Sequence, residues 1–244
     1  MKLVRAFLMS FSMFCAIPCP IRFWDSDLRP LMTAVLPLVG LVIGAVWSLI
    51  ASLCGYFAVP QLLAAAILTL TPWVLSGYIH LDGFMDSCDA ILSRRDLEER
   101  RRILKDPLTG SFAVISLVSL AMISLGAFYE ADYSNFLALL PVPAVTRACS
   151  AIAVQSLKPM GHSQYAKDKR PKYAVAIPAV LLAAGMALSV WLGGGAWLCS
   201  AAALLGWCAA CLRGYRQLDG MSGDISGYAV TVGEACAAAA FAFI

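Results

Sequence analysis

Apolar residues fall along this chain in long unbroken runs rather than in stripes. Seven can be marked, at residues 31–54, 57–79, 112–128, 135–155, 173–192, 196–212 and 228–244. Each approaches the ~20 residues that a helix needs to cross about 30 Å of hydrocarbon. None shows the apolar–polar alternation of a barrel strand. The pattern predicts an all-α, polytopic membrane helix bundle with about six to seven transmembrane helices. Pro37, Pro60, Pro72, Pro141, Pro143 and Pro178 lie inside the runs and predict kinks. Residues 1–30 read differently. Lys2 and Arg5 precede the apolar stretch 6–17, but Pro18, Cys19 and Pro20 stand where a signal peptide would carry small residues for cleavage. This segment predicts a retained amphipathic helix, lying in the interface or re-entering the membrane.

Composition sharpens the picture. The chain has 244 residues, 61% hydrophobic and 14% charged, with a mean hydropathy of +0.79. Soluble domains are nearer half apolar and a quarter charged, so a water-soluble globular enzyme and a disordered chain are both excluded. The nine cysteines read as small buried apolar residues, not as a disulfide framework. Cys208 and Cys211 form a CxxC inside an apolar run with no second pair, which argues against zinc or redox use. One integral-membrane domain, 1–244, follows. Its polar chemistry is confined to two connections, 80–111 and 213–227.

The net charge of +3 tells little, but its distribution tells more. Lys2, Arg5, Arg22 and Arg29 precede the first run. Arg94, Arg95, Arg100, Arg101, Arg102 and Lys105 follow the second. Lys158, Lys167, Lys169, Arg170 and Lys172 follow the fourth, and Arg213 and Arg216 follow the sixth. The alternate connections, near Gly55, at 130–134 and at 193–195, carry no Lys or Arg. The positive-inside rule then puts the N-terminus and the basic connections in the cytoplasm and the C-terminus outside. Topology accounts for the cations without a nucleic-acid partner. It does not account for the acids beside them.

Asp82, Asp86 and Asp89 are spaced i, i+4, i+7. On a helix they share an arc of about 60°. Like charges so close repel unless a cation compensates, and hard carboxylate oxygens suit Mg²⁺ or Mn²⁺. Gly83 allows a backbone or a phosphate to come close. A solvated acidic helix start is the plainer alternative. His80 reads equally as a hydrogen-bonded boundary residue or as a ligand or proton carrier. Further on, Pro107 keeps Asp106 out of a helix interior, and Gly110 opens the next run. Lys105 with Arg100, Arg101 and Arg102 can hold a phosphate, or simply anchor the topology. The second connection brings Asp219 and Asp224 among Gly220, Gly223 and Gly227, a turn able to add metal or phosphate ligands. Arg147 and Glu234 lie inside runs, which points to a polar cleft or to a structural pair.

The segment His80-Leu81-Asp82-Gly83 through Asp86 and Asp89 resembles the HLDGxxDxxD hallmark of the cobalamin synthases, the adenosylcobinamide-GDP ribazoletransferases. Lys105-Asp106 with Gly110 and Phe112 is similar to the family's KDxxxGxF segment. The resemblance extends to Ala6-Phe7, to Pro37 through Gly44, to Arg147, and to the Gly-x-x-Gly-Asp at 220–224. Ala90 and Ala113 depart from it, as do Val230 and Thr231, where the family commonly carries glycine or, in the last helix, Asn or Glu. The resemblance implies transfer between adenosylcobinamide-GDP and α-ribazole, or its 5′-phosphate, with release of GMP, at the cytoplasmic side of a bacterial inner membrane. It implies Mg²⁺ held by Asp82, Asp86, Asp89, Asp219 and Asp224. Catalytic roles would fall to Asp82, His80, Lys105 and Asp106, and substrate contacts to Arg100, Arg101, Arg147, Gly83 and Gly110. Partners implied are the two substrates, membrane lipid, and a second copy or other enzymes of the pathway. Other membrane transferases of pyrophosphate substrates remain as alternatives. The CDP-alcohol phosphotransferases, however, want an Ala-Arg after Asp82-Gly83 and a later GxxxDxxxD, and the prenyltransferases want Asn before the first Asp. A small transporter would place its acids at the bilayer midplane rather than at one side.

Overall fold

A long apolar segment in lipid must satisfy its own backbone hydrogen bonds, and a helix does so within one segment. The computed structural model, which describes residues 2–19, 23–161 and 171–244, is built that way. Its elements are α1 (Lys2–Phe14), α2 (Arg29–Ala34), α3 (Leu36–Tyr56), α4 (Gln61–Leu75), α5 (Ile79–Leu92), α6 (Leu97–Ile103) and α7 (Ser111–Glu130). A 3₁₀ segment, Tyr133–Leu139, then leads into α8 (Val142–Ser156), followed by α9 (Tyr173–Leu192), α10 (Ala196–Leu218) and α11 (Gly223–Phe241). Arg22, Lys167, Lys169 and Arg170, which enter the charge pattern, lie outside the described residues.

Most prolines start or divide helices instead of kinking them. Pro37 and Pro143 sit in the first turns of α3 and α8, and Pro60 caps α4. A missing N–H costs nothing at these places. The first apolar run is thereby divided between Ala34 and Leu36. Pro72 and Pro178 remain inside α4 and α9.

The contacts at the two ends of the bundle fix its topology. At one end the connections without Lys or Arg meet. Gln61 donates to the carbonyls of Tyr129 and Ala131, and the Asn135 amide donates to the carbonyl of Ile244 at 2.7 Å. At the other end the basic connections meet through Arg101, Lys158 and Asp219. The chain therefore runs end to end along α3, α4, α7, α8, α9, α10 and α11, following the seven apolar runs. Five segments are long and apolar enough to cross a membrane: α3, α7, the joined 133–156 stretch, α9 and α10. A sixth is added if α4 and α5, bent by 93° at residues 76–78, are taken as one. A chain that turns so sharply does not cross in one line, so we read α5 as lying outside the spanning helices. The seventh run, α11, is not among the segments that pass. Most of its length is buried, from Ile225 to Thr231 and again at Glu234, Ala237 and Phe241. A helix walled by protein on all sides does not need the hydropathy of one that faces lipid.

Glycine lets these helices approach to backbone contact. A Cβ on Gly40 or Gly44 of α3 would fall 2.3 Å or 2.0 Å from the carbonyl oxygen of Pro143 or Leu140. Small residues at helix crossings are the usual device where lipid supplies no hydrophobic drive for association.

Helix α1 is amphipathic as expected. Ala6, Met9, Ser10 and Phe14 are buried on one face, while Leu3 and Val4 are exposed. Its end is tied to α4 by the Ala16 N–H, which donates to the Leu75 carbonyl at 2.7 Å. The cysteines carry no disulfide, and six of the nine are buried. The two connections expected as loops are largely helical. Residues 80–111 form α5, α6 and the start of α7. The stretch 213–227 is the end of α10, a short turn, and the start of α11.

Candidate active site

Helix α5 has two faces. Leu81, Phe84, Cys88 and Ile91 recur at helical spacing and enter the core. Asp82, Asp86 and Asp89 lie on the other side, Asp82 exposed and the other two half-buried. The helix can leave α4 at a right angle because Gly77 (φ +60°) and Tyr78 (φ +62°) both take left-handed backbone conformations. The Tyr78 N–H donates to the Trp73 carbonyl at 2.8 Å, which seals the end of α4.

A fourth carboxylate comes from the far end of the sequence. Ser222 caps α11, its Oγ accepting the Ile225 N–H at 3.3 Å, and Asp224 sits in the first turn. Helices α5 and α11 cross in backbone contact at two reciprocal glycines. A Cβ on Gly83 would meet the Asp224 backbone at 2.9 Å, and one on Gly227 would meet the His80 carbonyl oxygen at 2.8 Å. This crossing gathers Asp82, Asp86 and Asp224. Burial, then Asp82, Asp224 and Asp89 in that order, push the Asp86 carboxyl up to about 6. Burial, with Asp82 adding to it against the Ser222 hydrogen bond, raises the Asp224 carboxyl as well. The cluster resists carrying its full negative charge.

Of the two approaches that Gly83 allows, the backbone one is seen, and Gly110 opens α7 as expected. What approaches Gly83 is the Asp224 backbone. Gly110 receives the Asp89 carboxylate, whose Oδ2 lies 2.0 Å from where a Cβ would stand. Both seat protein groups, and Gly110 brings the Asp89 charge to the positive end of α7.

The expected cations are mostly engaged in holding elements together. Arg101 donates to the carbonyls of Leu218 at 3.0 Å and Asp219 at 2.8 Å, and pairs with the Asp219 carboxylate at 3.3 Å. Lys158 reaches the same carboxylate at 3.3 Å. Asp219 is therefore the hub of an ion-pair clamp. Arg100 donates to Gln217 Oε1 and to the Asp96 carbonyl. Asp106 accepts the Leu108 N–H at 3.0 Å and shapes the turn at Pro107. Lys105 is exposed on an open groove of about 1040 Å³ shared with Arg101, Arg102 and Asp106. Arg147 is 0% exposed. Its Nη1 donates to Glu234 Oε1 at 2.5 Å, which is the structural pair the sequence allowed. Its Nε and Nη2 have no hydrogen-bond partner among the described residues.

No three His, Cys, Asp or Glu side chains are preassembled as a metal site among the described residues. The acids are crowded enough to repel but not closed into a cage. A hollow of about 440 Å³ opens at Asp82 beside Ala16 and Gly77. A smaller one of about 140 Å³ lies between Asp82, Asp224 and the end of α1, with Phe14, Leu36, His80, Ser150, Val154 and Ser226 in its wall. Of these wall residues sequence reading found His80, and it missed Phe14, Leu36, Ser150, Val154, Ser226 and the Gly227 crossing. Ser222 before Gly-Asp is a recognisable helix start. Phe14, Leu36 and Val154 carry no signal that separates them from ordinary core.

The family model for cobalamin-5-phosphate synthase matches residues 6–242. The adenosylcobinamide-GDP ribazoletransferase of Clostridium botulinum (strain Alaska E43 / Type E3) is 36% identical over 242 residues, covering 96% of this chain and 95% of the relative. The protein of the same name from Geobacillus kaustophilus is 32% identical over 245 residues, covering 94% and 92%. That from Clostridium perfringens (strain 13 / Type A) is 38% identical over 165 residues, covering 67% and 66%. No solved structure matches. A match over nearly the whole length establishes that this membrane-helical chain belongs to the cobalamin-5-phosphate synthase family.

Proposed function

We propose that the chain joins adenosylcobinamide-GDP to α-ribazole, or to its 5′-phosphate. The products are adenosylcobalamin, or its 5′-phosphate, and GMP. A ribose hydroxyl attacks the phosphorus nearer the corrinoid. A P–O bond forms to the ribose, the P–O bond to GMP breaks, and the hydroxyl proton passes to a carboxylate. The observation that carries this reading is the crossing of α5 and α11, which crowds Asp82, Asp86 and Asp224 until Asp86 is pushed up to about 6. Such a cluster suits a pyrophosphate substrate that arrives with a divalent cation.

The donor set fits Mg²⁺. Asp86, Asp224 and Asp89 are hard oxygen ligands, and an incomplete cage suits an ion that shares its ligands with substrate phosphates and water. Mg²⁺ bound there would neutralise charge on the transferring phosphoryl group. Asp82, exposed at the mouth of both hollows, accepts the proton. Lys105, exposed on the open groove, offsets charge on the GDP moiety. Phosphoryl transfer rests on positioning and electrostatics, so no covalent nucleophile is needed. The basic end of the bundle faces the cytoplasm of a bacterial inner membrane, since the Lys and Arg residues gather there.

The test is a set of single substitutions. Asp82→Ala and Asp86→Ala each abolish metal-dependent release of GMP. Full turnover in either variant ends the reading of this cluster as the reaction centre.

A further inference from the structure

Among the described residues, the exposed aromatic side chains are not scattered over the apolar helices. Each lies at a helix end or in a connection. One group marks the end where the connections without Lys or Arg meet. Tyr56 and Phe57 close α3, Tyr129 and Trp191 stand in the last turns of α7 and α9, Trp197 in the first turn of α10, and Phe243 just after α11. The second group marks the opposite end, with Trp24 before α2, Tyr78 at the entry to α5, and Phe112 and Tyr173 in the first turns of α7 and α9. Between these two levels the large exposed side chains are aliphatic or methionine, such as Val118 and Met122 on α7, Val180 on α9 and Leu205 on α10. The mid-helix aromatics Trp47 and Trp207 are buried. Water gives no reason to sort rings from aliphatic chains in this way. The two faces of a bilayer do, because amphipathic rings gather at headgroup level and the hydrocarbon takes the rest.

The separation of the two levels can be read along single helices. At 1.5 Å per residue, Phe112 and Tyr129 are about 26 Å apart along α7, and Tyr173 and Trp191 about 27 Å apart along α9. On α10, Trp197 and the first cation after it, Arg213, are about 24 Å apart. Tilt only shortens the reach of a helix across the bilayer, so these figures are upper bounds. A typical hydrocarbon core is about 30 Å thick, and the thicker biological bilayers reach about 32–33 Å. We infer that the lipid partner of this protein is a phospholipid bilayer with a thin hydrocarbon core of about 27 Å or less, seated between the two aromatic levels, and that the open hollow beside Asp82 has its mouth at the headgroup level of one leaflet. Tyr78, one of the level-marking rings, lines that hollow together with the exposed Ile79, and Asp82 follows one helical turn later. The 93° bend between α4 and α5 falls at the same depth, so the chain stops crossing where the hydrocarbon ends. In a thicker bilayer acyl chains would reach Tyr78 and the exposed Asp82 carboxylate, which is costly for a charged group. The inference stands apart from the reaction proposed above.

The test uses the full wild-type chain in phosphatidylcholine bilayers of increasing acyl-chain length, each thickness measured by X-ray scattering. The melting temperature is predicted to be highest at a hydrocarbon thickness of about 27 Å or below and to fall by several degrees by about 33 Å. A melting temperature that stays flat or keeps rising through that range overturns the thickness. Depth is read separately, from fluorescence quenching by lipids brominated at defined positions along the acyl chain. The emission lost in the double variant Trp191→Phe with Trp197→Phe is quenched most by bromines near the headgroup, and so is the emission gained in Tyr78→Trp. The emission gained in Val118→Trp, midway along α7, is quenched most by bromines near the chain end. Quenching of Tyr78→Trp by the deep bromines, or by none, overturns the placing of the hollow's mouth. The wild-type series needs no substitution, so a variant that fails to fold leaves the thickness open to refutation.

Discussion

The crossing of α5 and α11 can be pried apart without removing a single functional group. In Gly227→Ala the new methyl would stand 2.8 Å from the His80 carbonyl oxygen and 3.1 Å from its Cα. Ordinary contact begins at 3.4 Å, so the helices must separate by roughly 0.6 Å. The atoms in the way are backbone on both sides, and no flexible side chain can yield. Overpacking of this kind costs about 1–3 kcal/mol. The larger effect is on geometry, because a displacement of about 1 Å in a reacting centre costs on the order of a hundredfold in rate. Gly227→Ala is therefore predicted to lower kcat by about tenfold or more while the protein stays folded. Gly83→Ala, with the Asp224 backbone at 2.9 Å, behaves alike. The control is Gly126→Ala in α7, where nothing lies within 4 Å of the added atom. It gains about 1 kcal/mol of helix propensity and keeps full activity. The assay is initial-rate release of GMP in nanodiscs, alongside a melting curve. Wild-type rates in both Gly227→Ala and Gly83→Ala would refute the claim that this crossing assembles the site.

Further predictions concern charge. Arg147→Ala or Glu234→Ala strands a buried ion and lowers stability by about 3–5 kcal/mol, whereas the double replacement Arg147→Met with Glu234→Leu recovers most of it, as melting curves will show. Asp86 has a folded-state pKa raised to about 6 above its ordinary 3.8. The folded chain thus holds its proton more tightly than the unfolded one. The stabilisation is complete below pH 4 and is lost as pH rises through 6. The melting temperature of the metal-free protein should fall across that window, Asp86→Asn should flatten the slope, and added Mg²⁺ should restore stability at pH 7. Arg101→Ala frees α6 from the turn between α10 and α11, so limited proteolysis between residues 94 and 110 should quicken.

How much of this was legible in the sequence depends on range. The carboxylates of α5 share one face because i, i+4, i+7 spacing is a local property of a helix, and their apolar counterparts at Leu81, Phe84 and Cys88 follow from the same period. The run lengths and the partition of Lys and Arg reproduce the end-to-end passage of the chain. α11 is legible as a run but not as a helix shielded from lipid, because burial depends on neighbours distant in sequence. The right angle between α4 and α5 was carried by Gly77 alone, and continuous hydropathy masked it. The partner of a charge is the least readable property. Asp219 and Asp224 look equivalent in a Gly-rich turn, yet Arg101 and Lys158 claim the first while the Gly83 crossing delivers the second to the acid cluster. The small hollow beside Asp82 and Asp224 draws its walls from α1, α2, α3, α5, α8 and α11, and no local pattern announces it.

The central claim is that the crossed acidic helices carry out a metal-dependent transfer between adenosylcobinamide-GDP and α-ribazole. The direct measurement is turnover by the purified full chain in nanodiscs with both substrates and Mg²⁺, products resolved by mass, and an EDTA arm. The account predicts a cobalamin product and GMP in equal amounts with Mg²⁺, and neither with EDTA. Folded protein that yields no cobalamin product, or that yields it undiminished in EDTA, would contradict it.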